Sequence, residues 1–461
     1  MDAPPLGRLR TALLYTALAL GLALALTAGA LVLGGSSGRT GAAGGPAAAA
    51  APAGDAPLDR LATGDLAGGI AGLQEHLRAQ PEDSSGWATL GAAYVEQART
   101  SGDPTRYPQA EEALARSLRI APDGNDAALA GQAALAAARH DFRTALGAAD
   151  RALRTNPYNE RALAVRVDAL VELGHYDTAR AAAEHADKLR PGIPVFTRLA
   201  YVRELHGDAA GARRVLTRAL DSASTPGDTA YVATALGQLA WSQGQYADAL
   251  RQYATALRAS PGYLPALEGR GRAYAARGDR ARAARDLAEV VRRYPLPAQL
   301  AELGELYEAT GQPGRAREQY AVVGTWIALA KANGVATDLD AALVAADHGD
   351  PREALRAARA EWARRHTVHT ADALAWALHV NGRDREALPY AERSSAPGYR
   401  NAAFLYHRGV IEAALGRRSA ARTALAAALR LNPGFSPTGA PAARAALARI
   451  EGIEGIEGGP S

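Results

Sequence analysis

Prolines recur at Pro81, Pro122, Pro157, Pro191, Pro226, Pro261 and Pro295, and five of the six successive intervals are 34 or 35 residues. A period of that size is what a stack of helix-turn-helix units produces, because each unit holds two short helices and two tight connections. The exceptional interval, 41 residues from Pro81 to Pro122, is one unit plus seven residues. The surplus falls in Thr100 to Pro108, a Gly/Pro-containing loop between the two helices of one unit, where lengthening disturbs no packing. A single compact core is also excluded by size, since 461 residues exceed what one core supports. Hydrophobic residues make up 48% of the chain but include only four Phe and one Met, so its helices are expected to pack closely on alanine.

Aligning the units on their prolines produces columns. Trp87, Leu90, Gly91 and Tyr94 lie on one first helix, with Ala110 and Leu114 on its second. The unit ending at Pro261 carries Leu236, Gly237, Gly244, Tyr246, Ala249, Tyr253, Ala256 and Leu257, and the next carries Leu267, Gly271, Tyr274, Gly278, Ala283 and Leu287. The apolar positions are three and four apart, as one buried helical face requires. Gly91, Gly237, Gly271 and Gly409 are expected to let the partner helix approach. Gly174, Gly207, Gly244, Gly278, Gly311, Gly349, Gly382 and Gly416 end the first helices, where a left-handed conformation is expected. An alanine follows each of these turns five residues on, from Ala179 to Ala421, with Ala145 in the same place one unit earlier, and proline then stops the second helix.

These residues resemble the tetratricopeptide repeat family, with a likeness covering about Leu58 to Pro433. The fold class expected is therefore all-α: an α-α superhelical solenoid of about ten helical hairpins over residues 58–435. A capping helix is expected over 436–451 and a disordered tail over 452–461. After Val323 the columns loosen, with an extended helix over Thr325 to Asn333, and a change of groove shape is expected there.

The N-terminal sixty residues read differently. Arg8 and Arg10 precede an uncharged apolar stretch from Thr11 to Leu33, which as a helix spans about 35 Å, enough for a bilayer. Residues 1–34 are thus expected to be a transmembrane or signal helix, with the rest extracytoplasmic by the positive-inside rule. Ala28-Gly29-Ala30 also fits signal cleavage and secretion. Residues 35–57 are Gly, Ala, Ser and Pro apart from Arg39, Thr40 and Asp55, and read as a flexible linker.

The absence of cysteine removes disulfides, thiolate nucleophiles and lipoprotein attachment. Net charge is +4, but arginines are scattered and no basic run suggests nucleic acid. No phosphate loop, HExxH or GxSxG motif is present, so no enzyme, cofactor or metal site is assigned.

The family resemblance implies that protein partners dock on a concave surface lined by first-helix positions. Those positions map to Tyr201, Tyr231, Thr234, Gln238, Trp241, Glu268, Arg272, Glu305 and Glu308, with Glu204 beside them. The family's Lys/Asn carboxylate clamp is not matched, because Ala164 with Asp168, Thr234 with Gln238 and Glu268 with Arg272 stand in its places. A second constellation is His369, Asp372, Trp376 and His379, spaced to share one helix face, with Tyr406 alongside. It is the alternative reading, a metal or small-ligand face, although His369 and His379 lie about 15 Å apart along a helix, too far to share one ion.

Overall fold

The computed structural model describes residues 66–101 and 104–457. The expected anchor and linker lie outside the described residues. Within them no helix is long and apolar enough to cross a membrane, and no strand occurs. The chain is a run of antiparallel helical hairpins flanked by α1 (Leu66–Ala79) at one end and α22 (Gly439–Glu457) at the other.

Five hairpins come first: α2 (Ser84–Ser101) with α3 (Tyr107–Ile120), α4 (Asp126–Ala138) with α5 (Phe142–Thr155), α6 (Glu160–Glu172) with α7 (Tyr176–Leu189), α8 (Ile193–Leu205) with α9 (Ala209–Asp221), and α10 (Pro226–Ser242) with α11 (Tyr246–Ala259). Five more follow: α12 (Leu264–Ala276) with α13 (Arg280–Arg293), α14 (Pro297–Ala309) with α15 (Pro313–Ala332), α16 (Asp338–His348) with α17 (Pro351–Arg364), α18 (Val368–Val380) with α19 (Asp384–Arg393), and α20 (Ala402–Ala414) with α21 (Arg418–Leu431). First helices of neighbouring hairpins pack on one another whereas second helices hardly meet, so the first helices form the inner radius.

Local chemistry sets the helix ends. Asp141, Asp208 and Asp279 accept the backbone N–H of Thr144, Gly211 and Arg282 and so cap second helices, while Asn125 and Asn159 cap first helices in the same way. Ala145, Ala179, Ala212, Ala249, Ala283, Ala316, Ala354, Ala387 and Ala421 are all fully buried, the position at which the second helix lies closest to its partner. Gly237 and Gly269 flank the buried Tyr253, whose ring occupies the space a Cβ at either glycine would need. The close approach is thus by a large side chain seated on a glycine.

Two turns depart from expectation. Gly349 has φ −135°, an extended conformation, so it does not take the left-handed role of the other turn glycines. His140 occupies that role instead in its own hairpin, with φ 61°. A left-handed non-glycine costs free energy, which a specific contact must offset. The contact is long-range: His140 Nδ1 donates to the Ala336 carbonyl at 2.6 Å.

That bond belongs to a seam the repeat pattern does not encode. Hydrogen-bond partners 186 to 196 residues apart, between five and six repeat lengths, join one turn of the superhelix to the next. Tyr294 Oη donates to the Arg99 carbonyl at 2.9 Å, Val368 N donates to Tyr176 Oη at 2.7 Å, and Asn432 Nδ2 donates to the Trp241 carbonyl at 2.9 Å. Arg365 bonds to both Glu172 and Glu361, and its guanidinium lies 5.1 Å over the Phe142 ring. Gly174 packs so tightly there that a Cβ would lie 2.4 Å from the His366 carbonyl oxygen.

Apolar cores fuse across the same seam. Trp326, Ala330 and Val335 join Leu77, Leu90 and Leu114 in one buried cluster, and Val368, Tyr399 and Phe404 join Leu199 and Leu236 in another. The long helix α15 reaches back to the N-terminal hairpins through Trp326. At the far end α22 seats Ala443 and Ile450 on Leu425 and continues to Glu457, beyond the expected end at 451. Among the described residues the solenoid is therefore a coil whose successive turns touch.

Candidate concave binding surface

The inner wall is built by the first helices from α8 to α20. Its first landmark is Arg198, paired through two bonds of 2.9 and 2.7 Å with Asp168. Burial of both groups makes this a positioned ion pair that fixes α6 against α8. Tyr201 continues the wall and its hydroxyl meets His369 Nε2 at 3.1 Å, so the inner surface of one turn runs directly into that of the next.

Tyr231 is placed differently from the groove residues around it. It is buried in the apolar core, and its hydroxyl donates to Thr197 at 3.3 Å. Thr234 is half-buried and its hydroxyl donates back to the Ala230 carbonyl at 2.7 Å, leaving only its acceptor lone pairs for a partner.

Gln238, Trp241, Glu268 and Arg272 form a connected patch. Arg272 bonds to Glu268 and Glu302, reaches Gln238 Oε1 at 3.3 Å and lies 5.8 Å from the Trp241 ring centre. Gln299 Nε2 donates to Glu268 at 3.0 Å. Burial pushes the Glu302 carboxyl up, with Arg272 opposing and Glu268 reinforcing the shift. The Glu204 carboxyl rises to about 7 by burial despite the bond from Ser242. Gln238 Nε2, Trp241 Nε1 and Glu302 Oε2 are buried and have no hydrogen-bond partner among the described residues. Polar atoms of that kind are costly unless something bonds to them.

Further along, Glu305 accepts from Ser436 at 2.9 Å, and Glu308 is exposed. Glu268, Glu305 and Glu308 are thus set against Arg272, whose charge is already shared by Glu268 and Glu302, while burial favours the neutral form of the Glu204, Glu302 and Asp347 carboxyls. The wall is acidic with aromatic patches.

The His369 face divides. His369 packs edge-on against Tyr399 and Phe404, and burial together with the nearby Arg365 charge lowers its pKa to about 4, so it is neutral and structural. Trp376, in contrast, stacks between His407 at 4.2 Å and His379 at 4.9 Å, with Tyr406 5.9 Å away. His407 Nδ1 donates to both Asp372 oxygens at 3.0 and 2.9 Å. Burial opposes the charged imidazole, but Asp372 outweighs it and raises the His407 pKa. His379 Nδ1 donates to Asp384 at 2.5 Å. Asp372, Trp376, His379 and Tyr406 therefore come together through His407, each histidine already holding a carboxylate, while His369 faces elsewhere.

Sequence reasoning missed Asp347, His348 and Tyr320, which complete the wall beside Trp376. Trp376 Nε1 donates to Asp347 at 2.7 Å and His348 stacks on Tyr320 at 4.0 Å. Their one sequence signal is the Asp-His pair closing α16, which matches no repeat column.

Comparison with known proteins agrees with the repeat assignment. Residues 197–264 and 234–296 match the tetratricopeptide repeat family model. The chain is similar to the thermophilic TPR protein TTC0263 of Thermus thermophilus, at 24% identity over 41% of this chain and 98% of that one, with a TM-score of 0.37. It is also similar to the type IV pilus biogenesis factor PilW (21% identity, 42% and 90% covered, TM-score 0.37) and to human IFIT1 (13% identity, 81% and 89% covered, TM-score 0.45). No curated protein matches.

Proposed function

Because residues 197–296 match the tetratricopeptide repeat family model and the same helical hairpins continue on either side, we propose that the chain is a tetratricopeptide repeat protein, a non-catalytic scaffold whose inner wall binds a peptide segment of a partner protein. The observation that carries this reading is the patch around Arg272, where Gln238, Trp241 and Glu302 present buried polar atoms without partners beside an aromatic face. A bound peptide supplies bonds to those atoms, and an apolar or aromatic side chain of the peptide covers Trp241. The excess of carboxylates favours a segment carrying Arg or Lys.

The partner is proposed to be an exported or envelope protein, with the solenoid held outside the membrane by residues 1–34 or released there after cleavage. The motivation is the charge-flanked apolar stretch Thr11 to Leu33. Cell fractionation with mass spectrometry of the mature N-terminus tests the location; recovery of the uncleaved chain in the cytosolic fraction contradicts it.

The groove assignment is tested by capture from envelope fractions with the full-length chain as bait. Trp241→Ala removes the aromatic face, and Gln238→Arg adds a positive charge to the acidic wall. Each is expected to weaken a captured partner by roughly 30-fold, the loss typical of a central interface residue. Circular dichroism should show unchanged helicity. Undiminished capture by both variants would remove the groove assignment.

A further inference from the structure

Past the Arg272 patch the inner wall changes character. Glu305 from α14, with Asp347 and His348 from the last turn of α16, place one donor atom each within 4.8 Å of one another. Acidic groups cluster on many surfaces without consequence. Here the histidine distinguishes the site: its side chain is only 8% exposed, and its Nε2 has no hydrogen-bond partner among the described residues. That nitrogen lies 3.9 Å from Glu305 Oε1, beyond hydrogen-bonding distance yet directed at the carboxylates.

Each donor is also held from behind. Glu305 Oε2 accepts from Ser436 at 2.9 Å and from Thr438 at 3.4 Å, leaving Oε1 toward His348. One Asp347 oxygen accepts the indole N–H of Trp376, and the His348 ring is stacked flat on Tyr320 at 4.0 Å. Such outer partners fix donor orientation in metal sites. Electrostatics point the same way. Glu308 Oε1 adds a further carboxylate 3.9 Å from His348 Nδ1.

We infer that Glu305, Asp347 and His348 bind one divalent transition-metal ion on the inner wall of the solenoid. One imidazole nitrogen with two carboxylates suits zinc, whereas calcium and magnesium favour all-oxygen shells. Three protein donors leave a coordination position for water or for a side chain of a docked segment. The inference does not depend on the partner-binding reading, which rests on other residues.

Equilibrium dialysis of the chelator-stripped, full-length chain against ZnCl2 at neutral pH, followed by elemental analysis, tests it. The expected result is about one zinc per chain, lost in both His348→Gln and Glu305→Gln and retained in His379→Gln. Zinc should also raise the unfolding midpoint of the parent chain and of His379→Gln but not of the other two variants, whose helicity is checked by circular dichroism. Absence of zinc binding by the parent chain overturns the proposal. So does binding that survives both His348→Gln and Glu305→Gln, because the metal would then sit on other histidines. Failure here with normal partner capture leaves the Arg272 patch intact.

Discussion

Arg365→Met is expected to lower stability by about 3 to 5 kcal/mol, the usual cost of removing one partner from a buried charge cluster. Arg365 is 4% exposed and bonds to Glu172 and Glu361, which are equally enclosed. Asp340 lies buried close by, and burial raises its pKa to about 7 in spite of the Arg365 charge. Methionine keeps most of the side-chain volume but leaves the buried Glu172 and Asp340 carboxyls with no cation beside them, and Glu361 with Arg364 alone. Urea unfolding followed by circular dichroism measures the loss.

The pH dependence gives this prediction a sign. Burial already raises the Glu172 pKa, with Arg365 opposing. Without the arginine the folded-state value rises further above the unfolded one. Stability is then present below the ordinary carboxylate range and is lost as pH climbs through the raised value. The deficit of Arg365→Met should be largest above neutrality and shrink toward pH ~4.5, near the unfolded carboxyl value. Adding Glu172→Gln and Glu361→Gln should recover much of it. A deficit independent of pH would mean that lost packing, not unpaired charge, is responsible.

Trp326→Ala is the second large effect, again about 3 to 5 kcal/mol for truncating a buried aromatic. The indole is 1% exposed and shares a core with Leu90, Tyr94, Leu114 and Leu296. Its helix belongs to the seventh hairpin, whereas most of that core belongs to the first. The variant should therefore loosen the N-terminal hairpins more than its own neighbours. Hydrogen exchange reads this directly: faster exchange in α2 and α3, with α18 to α21 unchanged, is the predicted pattern. Faster exchange confined to α14 through α17 would show that Trp326 supports only its own hairpin.

These predictions concern the part of the fold least legible in the sequence. Hairpin length, the buried alanine column and most turn glycines could be read because each is imposed within one unit and repeated in the next. Gly349 misled because its helix ends without needing a left-handed residue. The seam left no periodic trace. It arises from a small rotation accumulated over five to six units, and its residues, His140, Arg365, Tyr294 and Asn432, stand at turns and loops where the repeat pattern is permissive. His140 in a glycine slot and Trp326 in an overlong helix were its local signals.

The candidate wall was legible to a similar degree. Helical spacing placed Gln238, Trp241, Glu268 and Arg272 together, because first-helix positions repeat with the units. It also counted Tyr231, whose ring turns into the core, since spacing alone does not say how deep a side chain sits. Asp347 and His348 were missed because they close a helix in the irregular stretch after Val323.

The central claim is that successive superhelical turns touch. The chain has no cysteine, so two can be introduced at exposed seam positions and spin-labelled without background. Arg143 and Arg364 serve, since the Arg143 guanidinium donates to the Arg364 carbonyl at 3.2 Å across the seam. Electron-electron distance measurement on the doubly labelled full-length chain should give one narrow distribution at the short end of the accessible range. A broad distribution centred at long distances would mean an open spiral with its turns apart, and would contradict the account.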